Sequence, residues 1–109
     1  MNKKIYNKLI EVAKKNTVIY ESDLANAAGM NLSLPHERRE LDRQLDEINS
    51  YEREQGRPVL SAVIIQKDSH MPGRHFFEFC RDIGLLKSED EDEFYIKEQR
   101  KVYVFWASQ

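Results

Sequence analysis

The stretch Val59-Leu60-Ser61-Ala62-Val63-Ile64-Ile65 is the only long, nearly uninterrupted apolar run rich in β-branched residues in the chain, and it stands among segments of helical periodicity. Such a run reads as a buried strand. A lone strand cannot satisfy its own backbone N–H and C=O groups, so a partner is required, either Thr17-Val18-Ile19-Tyr20 or residues 66–70. The rest of the chain must then pack around that small sheet as helices. With 109 residues there is room for one domain, spanning 1–109, and one modest core.

The helical segments are read from their spacing. Ile5, Leu9, Ile10 and Ala13 recur at three and four residues among lysines, which predicts an amphipathic helix over 2–16. Ser22 is placed to cap a short second helix, with Asp23 in its first turn and Gly29 after its end. A third begins near Ser33, with Pro35 in its first turn and Leu34, Leu41, Leu45 and Ile48 on one stripe. Arg38 sits at the edge of that stripe, its stem packed and its head in water; Arg39, Asp42, Arg43, Asp46 and Glu47 face solvent. Phe76, Phe77, Phe79, Cys80 and Ile83 make a fourth helix that begins at His75 and stops at Gly84. Ser88 with Glu91 forms a capping box for a fifth, on which Tyr95, Val102 and Trp106 share a face, although Val102–Trp106 also fits a strand. The expected fold is α+β and mainly helical: about five helices and a small two- or three-stranded sheet, which is also the content of a winged-helix domain.

Composition narrows the class of function. Hydrophobic residues at 40% and charged residues at 33% describe neither a disordered segment nor a membrane protein. No stretch approaches the roughly 20 apolar residues of a membrane span, and polar residues interrupt the N-terminal region before a signal-peptide core could form. The single cysteine, Cys80, allows no internal disulfide and no zinc cluster, which points to the cytoplasm. The 17 Lys and Arg nearly cancel the 19 Asp and Glu, so any nucleic-acid contact must be a local patch. By segment, residues 1–16 hold five Lys and one Glu; every other segment is neutral or acidic.

Four sets of residues are candidates for chemistry. His70, Gly73, Arg74 and His75 surround a Pro-Gly turn ahead of a helix start, where backbone amides and the dipole favour an anion; a solvated turn is the plainer reading. The five-residue spacing of His70 and His75 matches no metal pattern, so no metal is expected. Cys80 lies in an apolar helix, as a core thiol does, and the third-helix carboxylates lie on a face laced with opposite charge. With no P-loop, dinucleotide motif, nucleophile elbow or zinc-protease helix, a protein without catalysis or cofactor is expected. For duplex DNA or a nucleic-acid-processing partner, the contacts would come from Lys3, Lys4 and Lys8 on the first helix, Arg38, Arg39 and Arg43 on the third, and Arg74 in the loop. Seven acids in the third-helix segment oppose that reading. The alternative is a protein-interaction or dimerisation module presenting Tyr95, Tyr103, Phe105 and Trp106, against which a buried Trp106 would count.

Two resemblances follow from these residues. Tyr20 to Ala25, Gly56 to Val63, Pro72-Gly73-Arg74-His75-Phe76-Phe77 and the late Trp106 together resemble a widespread group of small uncharacterised bacterial proteins, a likeness that implies no activity. More loosely, a Tyr before a short Leu-Ala helix, a Gly, an Arg-rich helix, a Pro-led strand, a Gly turn, an apolar helix ending in Gly-Leu and a late Trp are similar to the winged-helix domain of alkyltransferase-like DNA-repair proteins. Their Pro-Cys-His-Arg or Pro-Trp-His-Arg motif is replaced by Pro58-Val59-Leu60-Ser61, so the likeness implies a fold and neither alkyl transfer nor lesion recognition.

Overall fold

The apolar spacing of residues 5–13 becomes helix α1, Lys3–Lys14, in the computed structural model, which describes residues 1–109. Asn2 caps it, its Oδ1 accepting from the Ile5 N–H at 3.0 Å, and Ile5, Leu9, Val12 and Ala13 are buried. The chain turns through Asn16, at φ 53°, into strand β1, Ile19–Tyr20, which runs directly into α2, Glu21–Ala27. Ser22 therefore does not cap α2. The extended Tyr20 occupies the cap position with no side-chain bond, and Glu21 and Asp23 offset the exposed amides by charge.

Helix α3, Pro35–Glu54, starts with Pro35 in its first turn as expected, and buries Leu41, Leu45 and Ile48. Leu34 does not join that stripe. It is the exposed residue before the helix, where its extended backbone turns the side chain outward. Gly56, at φ +73°, then reverses the chain with a conformation that a β-carbon would strain.

The run Val59–Ile65 is buried throughout, but it is not one strand. Leu60–Val63 form a turn of 3-10 helix, and only Ile64–Ile65 are strand β2. The cause is side-chain hydrogen bonding: Glu98 accepts from the Val59 N–H at 2.8 Å, and Asn49 Oδ1 accepts from the Ser61 N–H at 3.1 Å. Those bonds satisfy amides that a strand would satisfy with a neighbouring strand, so the segment coils without orphaned groups. β2 pairs in parallel with β1, Ile19 opposite Ile64 and Tyr20 opposite Ile65, so the pairing expected of residues 17–20 is present over two residues.

Helix α4, Arg74–Asp82, follows Gly73 and ends at Gly84, φ +78°, where the N–H groups of Leu85 and Leu86 both return to the Cys80 carbonyl. Helix α5 is Glu91–Ala107, so Val102–Trp106 is helical. Its cap is Asp90, which accepts from the Glu93 N–H at 3.0 Å, and not Ser88, whose hydroxyl accepts from the Asp90 N–H one step earlier. The fold is thus mainly helical α+β with a two-stranded parallel sheet, and 22 buried apolar residues from all five helices, the 3-10 turn, β2 and the connections at Val59 and Leu86 form one cluster. No helix is long and apolar enough to cross a membrane.

Candidate interaction surface

Gly73 lets the chain pass close beside Gln66 and Glu21: a β-carbon there would stand 3.0 Å from Gln66 Nε2 and 3.7 Å from Glu21 Oε2. Glu21, held by Arg38 at 3.0 Å, thus stands beside this helix start. His75, one turn position on, faces α3, with Nε2 2.9 Å from both oxygens of Asp46 and Nδ1 3.9 Å from Asp42. Burial lowers the affinity of His75 for its proton, yet the Asp46 bond and the Asp42, Asp46 and Glu78 charges outweigh it, and its pKa is raised. Asp42 is raised too, first by burial and then by the Glu21 and Asp46 charges. Three carboxylates, Glu21, Asp42 and Asp46, therefore line the cleft beside Gly73 and His75, and their field opposes a phosphate.

The other members of the 70–75 loop are turned elsewhere. His70, at φ 57°, is exposed and packs edge-on against Tyr20 with ring centroids 5.9 Å apart. Arg74 reaches forward to Glu91, Nη1 to Oε1 at 2.9 Å with a second bond between Nη2 and Oε2, and lies over the Phe77 ring at 5.2 Å. No three His, Cys, Asp or Glu side chains converge as a metal site.

The cations singled out for nucleic acid divide into two groups. Arg38 pairs with Glu21 at 3.0 Å, Arg43 with Glu40 at 2.6 Å and Glu47 at 3.3 Å, and Lys8 with Glu11 at 3.6 Å. The Arg43 bond holds the Glu40 carboxyl down to about 2. With Arg74 on Glu91, four of the seven are neutralised within the chain; Lys3, Lys4 and Arg39 are exposed with no carboxylate within 4.0 Å. A phosphate would have to displace the five carboxylates that hold those four cations before it gained them.

The aromatic face expected at the end of the chain is divided, with Tyr95 and Trp106 buried and Tyr103 and Phe105 half-buried. Tyr95 is buried, Trp106 is only 7% exposed, and Phe105 stacks edge-on against Trp106 at 4.9 Å. Tyr103 donates from its hydroxyl to the Thr17 carbonyl at 2.7 Å. Tyr95, Val102 and Trp106 belong to the core cluster, and Tyr103 and Phe105 pack against its edge.

On the opposite side of α5, Ile96 is 54% and Val104 69% exposed, with Arg100 between them at four-residue spacing and Lys97 and Lys101 beside them. Lys97 Nζ is held by Glu93 at 2.6 Å, whereas Arg100 has no carboxylate within 4.0 Å. The signal for this face was in the sequence: Ile96, Arg100 and Val104 repeat at four residues, opposite the buried Tyr95, Glu98, Val102 and Trp106. The arrangement offers apolar contact and positive charge together, and no nucleophile or acid–base pair lies on it.

No family model matches the chain, and no curated protein or solved structure matches it either.

Proposed function

We propose that the protein is a non-catalytic protein-interaction module that docks through the outward face of α5. The observation that carries this reading is the exposure of Val104 and Ile96 on one helical stripe with Arg100: two large aliphatic side chains left in water on a helix whose other side is fully packed. Phosphate binding has no use for bare aliphatic surface, whereas the centre of a protein interface does. The test is a photo-crosslinking side chain at position 104 in cells, with Glu54, on a different helix, as the control position. Discrete adducts from position 104, absent from position 54 and lost with Arg100→Glu, are the expected result. Equal adducts from both positions, or none from 104, would overturn it.

A second reading, contact with duplex DNA, is supported by the three free cations Lys3, Lys4 and Arg39. Retention on duplex DNA in low salt that Lys3→Ala, Lys4→Ala and Arg39→Ala together abolish is its expected outcome, and absence of salt-sensitive retention by the unaltered protein overturns it.

A further inference from the structure

We infer that the partner of the α5 face is an acidic segment of another protein, one that sets an aliphatic or aromatic side chain among carboxylates; this rests on the reading that α5 is a docking face. The site is the C-terminal part of that face, a shallow groove between two rows of side chains. Lys97, Lys101 and Phe105 form one row, and Arg100, Val104 and Ser108 the other. Members of each row recur at four residues, so the groove runs along the helix. The exposed Val104 and the half-buried Phe105 make its apolar part.

The charge of this groove has one sign. From Lys97 to Gln109 the only carboxyl side chain is Glu98, which is buried, its Oε2 accepting from the Val59 N–H at 2.8 Å. Lys101 Nζ stands 3.9 Å from the other Glu98 oxygen, at the limit of an ion pair, with most of its side chain in water. Arg100 has no carboxylate within 4.0 Å, and Lys97 alone has a close partner, Glu93 at 2.6 Å. The adjoining groove toward the start of α5 holds Lys87 and Lys97 together with Asp90 and Glu93, so it carries both signs and selects for neither.

Two weakly compensated cations therefore stand one helical turn from two apolar side chains, about 5–6 Å between β-carbons. A complementary segment needs a carboxylate within a residue or two of its apolar anchor. From Lys97 to Ser108 the groove is about 16 Å long, the span of about five extended residues. Apolar contact supplies the affinity, while the charges steer the encounter and fix the orientation. A lipid surface fits this face less well, because a helix lying in a bilayer presents a broad apolar side, and Ile96 and Val104 are the only large exposed aliphatic residues on α5.

Selection from a phage-displayed library of random peptides of about ten residues, on the purified full chain in low salt, tests this. The enriched peptides should carry two or more Asp or Glu around a large apolar residue. Made synthetically, they should bind with a Kd between about 10 µM and 1 mM and weaken at least about tenfold on Arg100→Glu and on Val104→Asp. Added salt should weaken them too, and Lys67→Glu, in the loop after β2, should not. Thermal melts coincident with the unaltered protein will confirm that no variant has unfolded. No enrichment, enrichment of peptides without acidic residues, or full affinity in Arg100→Glu overturns the proposal. Co-sedimentation with phosphatidylglycerol vesicles, lost with Arg100→Glu and unaccompanied by selected peptides, assigns the face to a lipid surface and overturns it as well. Position-104 adducts in cells whose crosslinked segment has no excess of acidic residues would sink the acidic partner alone and leave the docking face standing. Neither adducts nor selected peptides would sink both.

Discussion

Tyr6 donates its hydroxyl to Glu52 across 2.5 Å, joining α1 to a carboxylate near the end of α3 that is 0% exposed. Arg57 closes on the same carboxylate, Nε to Oε2 at 2.7 Å and Nη2 to Oε1 at 3.2 Å. Its guanidinium lies over the rings of Tyr51, Phe105 and Trp106 at 5.5, 5.8 and 5.7 Å. One buried charge thereby ties α1, α3, the turn after it and the end of α5. Burial first, and then the bond and charge of Glu52, push the Tyr6 phenol up to about 12.

Removing either partner should be felt throughout the fold. Glu52→Leu leaves Arg57 without its counter-charge and should cost about 3 kcal/mol, at the low end for a buried pair because Arg57 reaches solvent at one edge. Tyr6→Phe removes one hydrogen bond to a charged group and should cost about 1.5 kcal/mol. In urea unfolding the double variant should lose little more than Glu52→Leu alone. Additive losses would show that the three side chains do not act as a unit.

The 3-10 turn depends on Asn49, whose Nδ2 donates to the Ser61 hydroxyl at 2.7 Å while its Oδ1 accepts from the Ser61 N–H. Asn49→Leu leaves that buried N–H unpaired and should destabilise by about 2 kcal/mol. Amide exchange at Ser61 should accelerate more than at Leu9, which the substitution does not touch. Unchanged exchange at Ser61 would mean that the turn holds without Asn49.

The His75 clamp makes a pH-dependent contribution. Its folded pKa is raised, so the protonated form is the one that the fold binds: the stabilisation is complete below the unfolded value of about 6.5 and is lost as pH rises through the higher folded value. Since His75 is more than a third exposed, solvent screening limits the effect to about 0.5 kcal/mol. The difference in stability between the unaltered protein and His75→Gln should therefore shrink between pH 6 and pH 8. A difference constant across that range would remove the protonated pair from the account.

Cys80 is a buried thiol pushed up to about 12, chiefly by burial and then by the Glu98 charge. A neutral thiol reagent at pH 8 should leave it untouched in the folded protein and modify it at once in denaturant. Rapid labelling of the native state would show that α4 opens locally.

Local pattern carried far into this fold. The three- and four-residue spacing of Ile5, Leu9 and Ala13, and of Leu41, Leu45 and Ile48, located α1 and α3; Pro35 and Gly84 marked a start and a stop; the β-branched residues at 18–19 offered one of two candidate partners for the 59–65 run, and the structure chose it over residues 66–70. Arg43 with Glu40 and Glu47 was legible as well, being a matter of neighbouring turns of one helix. The candidate surface was half-legible, in the four-residue repeat of Ile96, Arg100 and Val104, but it could not be separated from the aromatic face until the packed side of α5 was known.

Periodicity reports which side of a segment is apolar, and here it located the helices, though it left Val102–Trp106 open between helix and strand, and it gave the burial of residues 59–65, because burial follows from transfer free energy whatever the backbone does. It does not report which distant group will satisfy an amide or a charge. Asn49 and Glu98 turned a would-be strand into a 3-10 helix, Glu21 and Glu91 took Arg38 and Arg74 away from any external phosphate, and Asp46 claimed His75. Those partners lie 12 to 39 residues apart in the chain, and only the packing of α2, α3, α4 and α5 brings them within hydrogen-bonding reach.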